Sequence, residues 1–169
     1  GGQTWAMSGW TATDPQAAYE FVMSREKVDY GLYHGLVRGW GRIDLDGAQQ
    51  FVSTIEDKRL RGRMTDVVGE SVLEQRGTQG AFEWLGQLDQ KDGFTQAAYN
   101  AVVGRSISRS SSSLAEWISR NPDNRNIQPW MFRETAKKIA SRDPGLAASW
   151  LESNLANKSV NGEVIGQVA

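Results

Sequence analysis

The chain has no cysteine and only one histidine, His34. The first absence excludes disulfides, a thiol nucleophile and thiolate metal sites, and leaves the redox compartment open. The second excludes a histidine-based metal cage, and no Ser-His-Asp arrangement can be nominated around His34. No metal, other cofactor or catalytic residue is therefore expected. Long apolar runs are missing too: none approaches the ~20 residues that a transmembrane helix needs, so membrane insertion is not expected. Charge of one sign is also lacking. Nineteen basic and twenty acidic residues leave a formal net charge of -1 with a pI near 5.9. No global field draws such a chain to phosphate backbones, which argues against nucleic acid as its partner.

The composition present, 39% hydrophobic and 23% charged over 169 residues, is that of a globular chain able to form one continuous unit. Within it one word recurs: Asp-Pro-x-x-Ala-x-x-aromatic-aliphatic. Its aromatic falls at Phe21, Phe51, Trp84, Trp117 and Trp150, giving spacings of 30, 33, 33 and 33. Three residues earlier stand Ala18, Ala48, Ala81, Leu114 and Ala147, and one residue later Val22, Val52, Leu85, Ile118 and Leu151. These offsets make the apolar stripe of an amphipathic helix. Seven residues before the aromatic come Asp14, Asp44, Gly77, Ser110 and Asp143, mostly residues whose side-chain oxygen can cap a helix N-terminus. Pro15 and Pro144 follow at the first helical position, where a missing donor costs nothing.

One stripe per period cannot close a core, so a second helix should precede each word. Its trace lies eleven residues before the aromatic (Trp10, Trp40, Leu73, Ser106, Ile139) and eighteen before (Gln3, Tyr33, Asp66, Tyr99, Phe132). The spacing predicts first helices over about 30–41, 63–74, 95–107 and 129–141, with loops at Lys91-Asp92-Gly93 and Asn121-Pro122-Asp123-Asn124. The expected fold is all-α: an α-α superhelix of about five helix hairpins, about ten helices and no sheet, with Trp84, Trp117 and Trp150 buried. Only the end of a first helix is expected at Trp5 and Trp10. Val164, Ile165 and Val168 fall at offsets that would begin another. Residues 1–169 are accordingly expected to be a single segment of a longer array.

This pattern resembles the tetratricopeptide-like α-solenoids, and more closely the bacterial helical repeats built on an Asp-Pro-x-x-Ala-x-x-Trp-Leu word. Asp143-Pro144-Gly145-Leu146-Ala147-Ala148-Ser149-Trp150-Leu151 matches that word fully. Asp14-Pro15 through Phe21-Val22 has Phe for Trp, and Asp44-Leu45 through Phe51-Val52 lacks the proline. The resemblance implies a fold and a general role in binding proteins or peptides. It implies no catalytic residue. The Trp-x-x-Leu-Gly-x-x-Tyr opening of the tetratricopeptide consensus is not present, so that family's peptide-clamp residues have no counterpart here.

Several features invite a sharper reading. The aromatics could form a sugar-binding platform, but their columnar placement points to core packing. Of Trp130, Met131 and Phe132, not all can face one core. Gly31, Gly35 and Gly39, on one helix face with His34 and Arg38, point either to close helix approach or to a frayed hinge. The run Arg105-Ser106-Ile107-Ser108-Arg109 followed by four serines could be an Arg/Ser tract, yet Ser110 falls in the cap column. Asp66, Glu70, Glu74 and Glu83 could pair for acid–base work, although scattered carboxylates usually form a solvated face.

One column is left over by packing. Arg76, Arg109 and Arg142 stand eight residues before their aromatics, so stacking would place their guanidiniums in a row suited to carboxylates or phosphates. They could instead bond helix carbonyls or neighbouring acids such as Glu83 and Glu116. The expected function is a non-catalytic helical-repeat scaffold that binds a protein or peptide partner, or another part of its own chain. The competing reading is a helical domain of an α/α-type hydrolase or lyase, with carboxylates meeting in a groove.

Overall fold

The computed structural model describes residues 2–89 and 91–154. Leu155, Val164, Ile165 and Val168, on which the continuation of the array was expected, lie outside them. Among the described residues the chain is all-helical and has no strand. In order, the helices are α1 (Gly2–Thr13), α2 (Pro15–Met23), α3 (Tyr30–Ile43), α4 (Leu45–Thr54), α5 (Lys58–Gln87), α6 (Gly93–Arg109), α7 (Ser111–Arg120), α8 (Pro129–Ala140) and α9 (Pro144–Asn154). Helix α5 is interrupted at Gly77, whose φ of 67° and ψ of -176° are not helical. Each copy of the word thus has one helical segment before its cap and one after. The first copy differs from expectation. Helix α1 spans 12 residues, as long as α8, because Thr4, Met7, Ser8 and Thr11 extend its packing face well ahead of Trp10. The chain divides after Gly77 into two compact units.

The cap column fixes where the second helices begin. Asp14, Asp44 and Asp143 each accept the N–H three residues on, from Ala17 at 3.0 Å, Gly47 at 3.0 Å and Leu146 at 2.9 Å. Each bond satisfies one of the helix's orphan donors. Ser110 departs from this. It caps no N–H of its own helix, and its hydroxyl instead lies 2.7 Å from the Thr78 hydroxyl. Gly77 occupies the same column in a backbone region open essentially to glycine alone.

In the first unit, α3 packs against α1 at backbone distance. A Cβ on Gly35 would lie 2.6 Å from the Met7 Cβ and 2.7 Å from the Thr4 carbonyl oxygen. On Gly39 it would lie 2.5 Å from the Ser8 carbonyl oxygen and 2.7 Å from the Thr11 Cβ. The glycine stripe is therefore a packing surface, not a hinge. Close approach of the two helices offsets the ~1 kcal/mol that each interior glycine costs.

The word's apolar columns form the cores. Ala18, Ala48, Ala81, Leu114 and Ala147 are all buried, as are Val22, Val52, Leu85 and Ile118. The aromatic column is less uniform than expected. Trp84 and Phe51 are buried, Trp117 and Trp150 are half-buried, and Phe21 is 38% exposed. Buried Trp84 meets Phe94 edge-on at 6.2 Å, whereas the other aromatics meet partners at repeated offsets. The residue eighteen before the aromatic stacks on or tilts against it at 6.1 Å (Tyr33–Phe51), 5.8 Å (Tyr99–Trp117) and 5.8 Å (Phe132–Trp150). The residue eleven before it is a second ring only in Trp10–Phe21 and Trp40–Phe51. The residue two before the aromatic of one copy meets the aromatic of the next. This gives Tyr19–Phe51 at 5.6 Å and Phe82–Trp117 at 4.6 Å, while Ala115 packs with Trp150. No helix among the described residues is long and apolar enough to cross a membrane.

Candidate functional site

Packing in the second unit leaves a cavity of about 370 Å³. The part of α5 after Gly77 supplies Gln79, Phe82, Glu83 and Gly86, and α6 supplies Tyr99. From α7 come Ser113, Glu116, Trp117 and Arg120, with Asn121 and Asn124 just beyond it. These residues meet because the aromatic of the fourth copy packs on the second helix of the third. The apolar wall is the stacked Phe82–Trp117 pair, whose rings lie within 15° of parallel.

The polar part of the wall is held in place from behind. Asn124 Nδ2 donates to Tyr99 Oη at 2.9 Å, and the phenol in turn donates to the Leu85 carbonyl at 3.4 Å. Asn121 Nδ2 donates to the Trp117 carbonyl at 2.8 Å. Glu83 accepts from Gln79 Nε2 at 3.2 Å, and Glu116 pairs with Arg120 along the exposed face of α7. The cavity thus combines an aromatic edge, three amides, two carboxylates and a guanidinium. That mixture suits a small polar ligand with an apolar face.

A larger hollow of about 680 Å³ lies at the α2–α3 connection. Its wall is contiguous, residues 24–31, and a single loop cannot enclose a ligand from opposite sides. Elsewhere in the first unit the Arg38 guanidinium sits 5.2 Å from the centroid of exposed Trp5 and bonds both carboxylate oxygens of Glu74, at 3.1 and 3.0 Å. Tyr33 is raised above its ordinary pKa of 10.0, chiefly by burial and then by neighbouring Tyr19.

The residues singled out from sequence fall as follows. Arg76, Arg109 and Arg142 are all exposed, Arg109 in the last turn of α6 and Arg142 between α8 and α9. The acids next door are engaged elsewhere, Glu83 with Gln79 and Glu116 with Arg120. Glu83 and Glu116 line one cavity, whereas Asp66, Glu70 and Glu74 belong to the other unit. In the serine-rich run, Ser106 and Ser111 are buried, and Ser106 donates to the Val102 carbonyl at 2.8 Å. Met131 and Phe132 are buried while Trp130 is half-buried. No three acidic or histidine side chains among the described residues are grouped so as to hold a metal ion.

Gly86, Asn121 and Asn124 were not anticipated. A signal was present in Trp117-x-x-x-Asn121 and Trp150-x-x-x-Asn154, an asparagine four residues after the aromatic in two successive copies. Compared with protein-family models, curated proteins and solved structures, the chain matches none.

Proposed function

We propose that the chain is a non-catalytic helical-repeat scaffold, an α-α superhelix of about five hairpins similar to the tetratricopeptide-like solenoids, that presents a surface to a protein or peptide partner or to its own polypeptide. The observation that carries this reading is the recurrence of one contact between successive copies: Tyr19 with Phe51, Phe82 with Trp117, and Ala115 with Trp150. Copies that touch their neighbours in the same way line up their equivalent side chains in rows. Arg76, Arg109 and Arg142 are exposed members of one column. Arg76 in the first unit and Arg109 and Arg142 in the second would each bind carboxylates of a partner by paired hydrogen bonds.

The test is affinity capture from an extract of the source cells, comparing the chain with a variant carrying Arg76→Glu, Arg109→Glu and Arg142→Glu, both checked for native circular dichroism. At least one captured protein should fall about tenfold or more in the variant, the scale expected when charge complementarity is reversed. An unchanged set would remove the arginine column from the binding surface. Glu83 and Glu116 share a cavity, the one observation favouring a hydrolase or lyase domain. Turnover of a polysaccharide or peptide substrate that disappears in Glu83→Gln or Glu116→Gln would replace the scaffold with that enzyme.

A further inference from the structure

One aliphatic hydroxyl organises the contact between the fourth and fifth copies. Ser119 Oγ accepts from the Trp150 indole N–H at 2.8 Å and from Asn154 Nδ2 at 3.1 Å, and it donates to the Ala115 carbonyl at 2.9 Å. The indole N–H also reaches the Ala115 carbonyl, at 3.1 Å. Moving back one period of 33 residues converts Trp150 to Trp117, Asn154 to Asn121, Ala115 to Phe82 and Ser119 to Gly86. Every member of the arrangement is then present except the hydroxyl.

Two of the surrounding contacts are kept, although the Trp117 indole N–H does not reach the Phe82 carbonyl as that of Trp150 reaches the Ala115 carbonyl. The Trp117 ring lies 5.8 Å from Tyr99, as the Trp150 ring lies 5.8 Å from Phe132. Asn121 Nδ2 holds the Trp117 carbonyl at 2.8 Å, and Asn154 Nδ2 holds that of Trp150 at 2.7 Å. Gly86 has no side chain, and a Cβ built there would meet nothing within 4 Å. Among the described residues the Trp117 indole N–H has no acceptor, and Asn121 Nδ2 has only the Trp117 carbonyl. Both side chains line the cavity of about 370 Å³ with Gly86.

We infer that this cavity is a binding site for a small neutral polyhydroxylated ligand, a sugar of one or two rings, one of whose hydroxyls takes the place that the Ser119 hydroxyl holds in the next copy. A carbonyl oxygen could accept both N–H groups but has no proton to donate onward, as the Ser119 hydroxyl does to the Ala115 carbonyl. An alcohol accepts from both and still donates to a third group. Further hydroxyls find acceptors in Glu83 and Glu116, and the Phe82–Trp117 edge offers an apolar surface to ring C–H groups. The volume sits at the small end of the ~300–1,000 Å³ typical of ligand sites. This site goes beyond the scaffold reading, since it needs only the third and fourth copies.

The experiment follows the side-chain resonances of Trp117 and Asn121 in the ¹⁵N-labelled full chain, with the Trp117 indole assigned by its loss in Trp117→Phe. The probes are glucose, maltose, cellobiose, N,N′-diacetylchitobiose and a blocked trialanine peptide. At least one sugar should shift both resonances. Gly86→Ser supplies the missing hydroxyl from within and should weaken that sugar about tenfold or more, as expected for two lost hydrogen bonds. Gly86→Ala adds no hydroxyl and should keep binding, and Asn121→Ala should lose it if Gly86→Ser proves unfolded. Without any ligand, Gly86→Ser should also slow solvent exchange of the Trp117 indole N–H to the rate of Trp150. The site is refuted if no sugar shifts the pair, if only the peptide does, or if Gly86→Ser binds sugar undiminished.

Discussion

Helix α3 meets α1 across glycine, whereas the equivalent positions of α8 carry long polar side chains. Gly35 and Gly39 lie sixteen and twelve residues before Phe51; at the same offsets from Trp150 stand Glu134 and Lys138. In the first unit the two backbones come into direct contact along the helices. In the second, amides join α6 to the residues just before α8: Gln96 Nε2 reaches the Asn126 carbonyl at 3.2 Å and Gln128 Nε2 reaches Gln96 Oε1 at 3.3 Å. One helical word therefore supports two kinds of packing. Its register decides which positions meet, and side-chain volume decides how closely.

The largest expected effect lies in the aromatic column. Trp117→Ala should cost about 3–5 kcal/mol in denaturant unfolding, the range for deleting a large packed ring, and Phe21→Ala, at the exposed end of the column, less than half of that. Equal losses, or a loss below ~1 kcal/mol at Trp117, would mean that the column is not core. Next comes the glycine face itself. Gly39→Ala should destabilise by about 1–3 kcal/mol through overpacking, despite a helix-propensity gain of about 1 kcal/mol. Lys138→Ala, at the matching place in α8, should stay within about 0.5 kcal/mol of neutral, as surface changes do. Similar values for the two would erase the contrast between the units.

Smaller effects concern the caps. Asp44→Ala should cost about 1 kcal/mol by freeing the Gly47 N–H. Ser110→Ala should instead be read at Thr78, because that hydroxyl bonds across helices and not within its own, and restoration by Thr78→Val would identify the pair. The smallest effect is at alkaline pH. The Tyr33 pKa is raised in the folded chain by burial and then by Tyr19, so its share of stability is complete below about pH 10 and is lost as pH rises through the folded value. Tyr33→Phe should flatten the fall in stability above pH 10, and an unchanged slope would contradict that burial.

Most of the helical framework was legible because it rests on local rules. Asp14, Asp44 and Asp143 announce helix starts that the structure places at Pro15, Leu45 and Pro144, and the apolar stripe announces the buried face. The glycine stripe was legible as a choice between packing and fraying, which Thr4, Ser8 and Thr11 decide from another helix. What remained hidden depended on two copies at once. Gly86 reads in sequence as a tolerated interior glycine, and its consequence exists only beside Trp117 and Asn121, about one period away.

The measurement that tests the repeat account most directly is residue-resolved hydrogen exchange on the full chain carrying Trp150→Ala. If each copy is stabilised by its neighbours alone, protection should fall in α8 and α9, and in α7 against which they pack, while α1, α3 and α4 keep their wild-type values. An equal loss of protection from α1 through α9 would show a single cooperative globule and contradict the stacked-copy account.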